Sequence, residues 1–324
     1  MKRQDIKQIV ILFLLILSFN ACQNKNPLDV DISNIPARVD ILRFDLDFYG
    51  QPPNHLPAIK QKYPFMFPSR VPDSIWVAKM QDSLLLDLKT EVDSVFPNLD
   101  TYKPQIASVF KHIKFYFPAF KEPKIITLYS DWNYLKKAVY ADSLDLLTLD
   151  NFLGSNNRLY KGIPKYIRQN MTPQQIPVAI ANSIIETQVP PARSKTFLAK
   201  MINYGKKLYL LDAYLPQLPD SLKMGYTADK MAWAQQNEED VWRYFIENEL
   251  LYSTRSNLDL RFLNLAPYSK FYSEDDLQTP GYIGRYTGWQ IVRSFMKKNK
   301  VSLQKLLQIP AEDIFKKSKY KPKK

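Results

Sequence analysis

The chain has 324 residues, 45% apolar and 13% aromatic, and its 45 Lys and Arg exceed its 32 Asp and Glu for a net charge of +13. Twenty Tyr and eighteen Phe against eight Gly argue for a well-packed globule, and a single Cys excludes a disulfide scaffold. The basic excess is uneven: residues 1–21 contribute +2, the run after Phe315 carries six lysines and no acid, and the remainder holds about +5.

The chain opens with three bases and one acid in Met1 to Lys7, followed by unbroken apolar sequence from Ile9 to Leu17 and then Ser18-Phe19-Asn20-Ala21-Cys22. A positive start, a short apolar core and a small residue at the cut form the pattern of a secretory signal peptide. The core is about half of the roughly 20 residues that a spanning helix needs. A cysteine directly after the small residue points to a bacterial lipoprotein. Signal 1–21 would be removed and the Cys22 thiol acylated, each buried CH₂ adding about 0.8 kcal/mol of membrane affinity. Residues 22–37, with Pro27 and Pro36, read as a lipidated tether. No acidic cluster follows Cys22, so the protein is expected to stay in the cell envelope and face the periplasm. A nucleic-acid partner is not expected of an exported chain, and the bases give at most an unspecific attraction to anionic lipid.

One globular domain is expected over 38–315. Arg38 to Asp45 alternates partly and reads as a strand. A proline-punctuated loop from Pro52 to Pro72 carries the apolar cluster Tyr63-Pro64-Phe65-Met66-Phe67-Pro68, expected to pack on the core. Asp73 or Ser74 caps a helix to about Phe96, with Trp76, Met80, Leu84, Leu88, Val92 and Val95 on one face. Pro104 opens a second helix, striped by Ile106, Val109, Phe110, Ile113 and Phe117. Strands are expected at Lys124 to Tyr129, Ala138 to Ala141 and Leu144 to Leu149. The pattern then turns helical. Thr172 and Pro173 start a helix through Ile184 that Pro190 stops, and Ser194 caps the next, with Met201, Gly205, Leu208 and Leu211 inward. Asn237 and Asp240 look like a capping pair. Asn257 to Phe271 reads as a connector, and a last helix begins near Ile283. Gly284 and Gly288 lie one turn apart there, close to Gly281, so another backbone could approach. The lysines of 316–324 read as a solvated, frayed basic tail. Strands before helices give an α+β fold, a small sheet packed with a mostly helical C-terminal part.

The chemistry in this sequence is sparse. Its two histidines, His55 and His112, are far apart, and neither has a histidine one turn away, as a zinc-protease helix requires. There is no G-x-S-x-G, P-loop or G-x-G-x-x-G. The remaining candidates are carboxylates: Glu186 in a helix, Asp145 and Asp150 around a strand, and Glu247 and Glu249 on different helical faces. The residues alone indicate a tethered α+β domain without an evident catalytic site.

Several stretches are more informative together. They are the Tyr63–Pro68 cluster with Pro72-Asp73-Ser74-Ile75-Trp76; Phe110-Lys111-His112-Ile113-Lys114-Phe115-Tyr116-Phe117-Pro118; Leu149-Asp150-Asn151-Phe152-Leu153-Gly154 with Gly162-Ile163-Pro164-Lys165-Tyr166; Met201-Ile202-Asn203-Tyr204-Gly205-Lys206-Lys207-Leu208-Tyr209; and Pro280-Gly281-Tyr282-Ile283-Gly284-Arg285-Tyr286-Thr287-Gly288-Trp289. In this order they resemble the gliding-motility lipoprotein GldB family of Bacteroidota. The resemblance implies a membrane-anchored envelope component of the gliding and type IX secretion machinery, without enzymatic activity or cofactor, whose partners are other envelope proteins. It also implies a distant likeness to H-E-x-x-H zinc peptidases. Their metal helix would fall at Asn182 to Glu186, where both histidines are missing: a zincin-like scaffold without metal. The alternative is an envelope hydrolase derived from that scaffold, acting through a carboxylate site near Glu186.

Overall fold

The computed structural model describes residues 27–323. The expected signal segment, Cys22 and the first part of the tether lie outside the described residues. Four strands form one mixed sheet: β1 (Ile41–Leu42), β2 (Lys124–Leu128), β3 (Ala138–Ala141) and β4 (Leu144–Thr148). Their order is β1-β2-β4-β3, with β1 and β4 parallel to β2 and β3 antiparallel to β4 at the edge. Ile125 and Ile126 point to opposite faces and neither is exposed, so β2 is covered on both sides. A short hairpin through Asp142, at φ 54°, joins β3 to β4.

The helices that frame this sheet are α1 (Asp73–Met80), α2 (Ser83–Val95), α3 (Lys103–Tyr116), α4 (Ile176–Gln188), α5 (Phe197–Tyr214), α6 (Glu238–Glu247), α7 (Ile283–Lys298) and α8 (Ala311–Ser318), with shorter helices between them. The α+β class is as expected, a small sheet with a mostly helical C-terminal part.

Several boundaries differ from expectation, each for a local reason. The first strand stops at Leu42, and Phe44–Phe48 is a short helix. Apolar residues still alternate through Leu42, Phe44, Leu46 and Phe48, but burial follows a helical step: Phe44 and Phe48 are buried with Asp45, Leu46 is only partly so, and the Phe44 and Phe48 rings stack at 4.9 Å. The expected helix to Phe96 is two helices, because the Asp82 carboxylate caps a new one, accepting from the Leu84 and Leu85 amides at 2.9 and 3.1 Å. The break shifts the inward face, so Leu84 is 64% exposed and Leu85 is buried instead. Thr196, not Ser194, caps α5 by accepting from the Ala199 amide. Asn237 does not cap α6 with its side chain; its amide donates back to the Trp233 carbonyl at 2.8 Å. The stretch after Asn257 contains the helix Asn257–Phe262, with Leu258 and Phe262 fully buried.

As far as Lys323 the lysine run is seated on the globule rather than frayed. Lys316 and Lys317 sit in the last turn of α8, where cations complement the helix dipole. Beyond it the Tyr320 hydroxyl donates to Glu238 at 2.8 Å, and the Lys323 amide donates to the same carboxylate at 3.2 Å.

Glycine governs the helical part. α5 and α7 cross where Gly205 faces Gly288, and a Cβ at either would fall well inside the other helix's backbone: the Gly288 carbonyl for Gly205, the Met201 carbonyl for Gly288. Gly281 presses in the same way on the Ala266 carbonyl, and a Cβ on Gly284 would stand 2.9 Å from the Phe262 carbonyl oxygen. Charges lock this crossing. Arg293 of α7 donates to both oxygens of Asp212 of α5 at 2.7 Å, and the Trp289 indole and Lys223 ammonium donate to the same carboxylate at 2.9 and 3.0 Å.

Gly288→Ala is expected to destabilise the fold by at least the roughly 1–3 kcal/mol typical of over-packing, because the obstruction is backbone. Gly284→Ala is expected to be milder. Urea unfolding followed by tryptophan fluorescence compares them, and a neutral Gly288→Ala would contradict the crossing described here.

Candidate functional site

A cleft of about 430 Å³ opens between the start of β3, α4, α5 and the N-terminal turn of α7. Its floor is α4. Asn182 and Glu186 lie one turn apart and both line the cleft, as do Ser183, Val178 and Ala179. Apart from the polar end at Thr187 and Gln188, the rest of α4 is apolar and buried, so Asn182 and Glu186 mark the face it turns to the cleft.

Behind the floor lies Asp145 of β4, fully buried. The Ser183 hydroxyl is 2.8 Å from Asp145 Oδ2 and 2.8 Å from the Ile180 carbonyl oxygen. One hydroxyl proton cannot serve both acceptors well. A protonated Asp145 resolves the conflict by donating to Ser183 Oγ, which then donates to Ile180. Burial points the same way, pushing Asp145 up to about 7 against the opposing Ser183 hydrogen bond. Its Oδ1 has no hydrogen-bond partner. Asp150, in the short helix just past the other end of β4, is pushed up to about 6 by burial, although the Ser130 hydroxyl and amide both donate to it.

The walls are cationic. On the sheet side, Lys137 precedes β3 and donates to the Asn170 carbonyl. It is half-buried, and loss of hydration pushes its ammonium down to about 8. On the helical side, Lys207 of α5 pairs with Glu186 at 2.6 Å. Arg285 of α7 donates through Nε to the Leu263 carbonyl, and its guanidinium lies 4.2 Å from the Tyr204 ring centroid and 5.2 Å from that of Tyr282. Lys223 reaches the cleft but is satisfied by Asp212. Gly225, at φ 74°, closes one end, its carbonyl accepting from Asn170 Nδ2 at 2.8 Å and the Tyr282 hydroxyl at 3.1 Å.

The residues singled out in the sequence are thus only partly brought together. Asn182 and Glu186 share the cleft, and Asp145 lies beneath it. His112 sits in α3, buried, with Nδ1 2.8 Å from the Ser108 carbonyl, and lines a different pocket of about 610 Å³. His55 lies in the short helix Pro53–His55. Glu247 ends α6, and Glu249 follows it at φ 52°. The three glycines lie outside the cleft lining, yet Gly284 and Gly288 flank Arg285 on α7 and so fix where that guanidinium stands. Among the described residues no group of three or more His, Cys, Asp or Glu converges. Lys137, Tyr204 and Arg285 were not singled out in the sequence. In a chain with 45 basic residues a single cation carries no signal until the fold sets it in a cleft.

Comparison with known proteins places the chain among the proteins of gliding motility. The family model described as gliding motility protein GldB matches residues 25–322, nearly the whole chain, and the chain belongs to that family. No curated protein and no solved structure matches it. Among the described residues no helix is long and apolar enough to cross a membrane.

The raised Asp145 has a signed consequence. Folded, it keeps its proton up to about pH 7, whereas unfolded it releases it near 3.8. The folded state therefore binds more protons between these values, and stability falls as pH rises through that window. Asp145→Asn is expected to flatten part of this fall, leaving that of Asp150, and to raise stability at pH 8 relative to wild type. Urea unfolding at pH 5 and pH 8 measures it; an unchanged pH slope would refute the assignment.

Proposed function

We propose that this chain is a lipid-anchored, non-enzymatic component of the gliding and type IX secretion machinery that works by holding other envelope proteins. The observation that carries the reading is the ionic lining of the cleft. Where a zinc-peptidase helix would present two histidines and a free glutamate, α4 presents Asn182 and a Glu186 whose carboxylate pairs with Lys207. Lys137 and Arg285 add positive charge around it. Such a lining repels a divalent cation and suits an anionic partner. It also disfavours Glu186 as the acid or base of a hydrolase, because its side chain is 61% exposed and paired. On this reading α4 keeps the place of a zincin metal helix without its ligands.

The anchor at Cys22 is supported by how the chain after it is seated. Asp29 accepts from the Gln217 amide at 2.8 Å, the Pro36 carbonyl accepts from Lys114 at 3.0 Å, and the Arg38 amide donates to Glu122 at 3.2 Å. The tether is therefore fastened to the globule from residue 29 onward. At roughly 3.4 Å per extended residue, the seven steps from Cys22 to Asp29 reach about 24 Å at most. An acylated Cys22 would hold the globule against the bilayer surface rather than on a long leash.

Cys22→Ser is expected to abolish palmitate incorporation and release the protein from the membrane fraction. Equal label in wild type and variant would sink the anchor. The non-enzymatic half is tested by metal analysis: the purified protein should carry no stoichiometric zinc, and chelator should leave its melting temperature unchanged. About one zinc per chain, lost together with stability on chelation, would overturn it.

A further inference from the structure

β3 is an edge strand, and its free side has a definite chemistry. The Thr148 amide donates to the Lys137 carbonyl, so in the antiparallel ladder Lys137, Val139 and Ala141 turn their backbone groups toward β4. Ala138 and Tyr140 therefore turn their N–H and C=O groups away from the sheet, and among the described residues these groups have no partner. An unpaired edge is a template for another strand. β3 is short, four residues preceded by Lys136 and Lys137, but within it there is no charged side chain and no proline to block pairing. Val139 is 43% exposed, and the adjoining loop exposes Trp132 and Leu135 at 53% and 65%. Ala138 and Leu135 also line the cationic cleft.

Across the cleft, Arg285 is held by its Nε bond to Leu263 and by two tyrosine rings, and among the described residues its terminal amino groups have no hydrogen-bond acceptor. Neither Arg285 nor Lys137 is paired with a carboxylate among the described residues. A fixed guanidinium with free N–H groups is the geometry that takes a carboxylate in a forked pair. An edge that accepts backbone, next to cations that accept carboxylate, describes one kind of occupant.

We propose that the cleft binds an extended acidic segment of a partner protein, which adds as a fifth strand on β3 and sets its carboxylates against Arg285 and Lys137. Backbone pairing supplies affinity without regard to sequence, and the two cations supply the preference for Asp and Glu. This rests on the binding role proposed above and names the chemistry of the partner. Glu186 tunes it: by holding Lys207 it keeps that ammonium on the helical wall, and it repels any carboxylate set too deep on the α4 side.

The test is fluorescence anisotropy of the full-length protein in detergent with fluorescein-labelled decapeptides. One alternates Glu and Val, a second alternates Lys and Val, and the acidic peptide is made with both a free and an amidated C terminus. The acidic peptide should bind in both forms, more weakly as salt rises, and the basic one should not. Arg285→Gln and Lys137→Gln should each weaken binding, Arg285→Gln by about tenfold, the usual scale for a charge-assisted pair. Ala138→Pro removes the outward N–H while leaving the bonds to β4, so it should weaken binding to a similar degree. Melting curves confirm that each variant is folded; if Arg285→Gln is not, Lys137→Gln on the opposite wall carries the charge test. Loss of binding only when the C terminus is amidated would replace acidic side chains by a terminal carboxylate and overturn the proposal. So would equal binding of both peptides, binding to phosphatidylglycerol vesicles without peptide binding, or indifference to Ala138→Pro. If the peptides fail while full-length protein still crosslinks to envelope proteins in cells, the assembly role stands and this cleft is not the contact.

Discussion

Two helices reach backbone contact only where neither carries a side chain, and α5 and α7 do so at Gly205 and Gly288. Much of the helical half depends on that crossing. With a larger residue at either position the helix axes would separate by the thickness of a side chain. Trp289, fully buried beside the contact, would lose the Asp212 carboxylate to which its indole donates. The bidentate Arg293–Asp212 pair spans the same gap and would stretch with it. The cleft inherits this geometry: Tyr204 and Lys207 flank Gly205 on α5, and Arg285 lies between Gly284 and Gly288 on α7. The close approach puts the Arg285 guanidinium 4.2 Å over the Tyr204 ring.

A second constraint comes from the sheet. β4 lies between two neighbours, with Asp145 near its start facing α4 and Asp150 in the short helix just past its end, bonded to Ser130. Burying a carboxylate costs more than one serine hydrogen bond returns, so Asp145 is held neutral at mild pH. A neutral acid behind the floor removes a negative charge that would otherwise offset Lys137 and Arg285. The cationic character of the cleft thus depends in part on a group that does not line it.

The sequence showed periodicity well and convergence poorly. The stripes of α3, α4 and α7 and the three short strands lie close to where their spacing put them, because each is set by burial along one element. The misplaced boundaries were decided by side-chain to backbone bonds that compete with the pattern: Asp82 starting a helix inside an apolar stripe, Thr196 taking the cap from Ser194, and Asn237 bonding backward. Gly284 and Gly288 were legible as a possible close approach and Gly205 as an inward position, but not that Gly205 meets Gly288 or that Gly284 meets Phe262, since nothing local says which helices cross. For the cleft, Glu186 stood out as a carboxylate inside a helix, and Asn182 from a family likeness alone. Lys137 and Arg285 lie almost 150 residues apart, and only the sheet order and the helix crossing bring them to one cavity.

Partnering separates structural cations from those in the cleft. Arg43 closes on Asp45 and the Phe96 carbonyl, Arg158 clamps Asp87 and Glu91, and Arg293 bridges Asp212 and Asp220. Each ties elements together, and loss of Arg43 or Arg293 would leave a buried carboxylate, Asp45 or Asp212, short of a cation. Arg285 ends instead on aromatic faces and a single carbonyl, and Lys137 on one carbonyl and the Phe152 ring, 5.8 Å from its centroid. Aromatic faces orient a guanidinium without neutralising it. Its charge therefore remains available to whatever enters the cleft, beside an edge strand whose backbone is equally unsatisfied. Two kinds of unmet demand in one cavity, one electrostatic and one of the main chain, are what a surface built for a partner presents.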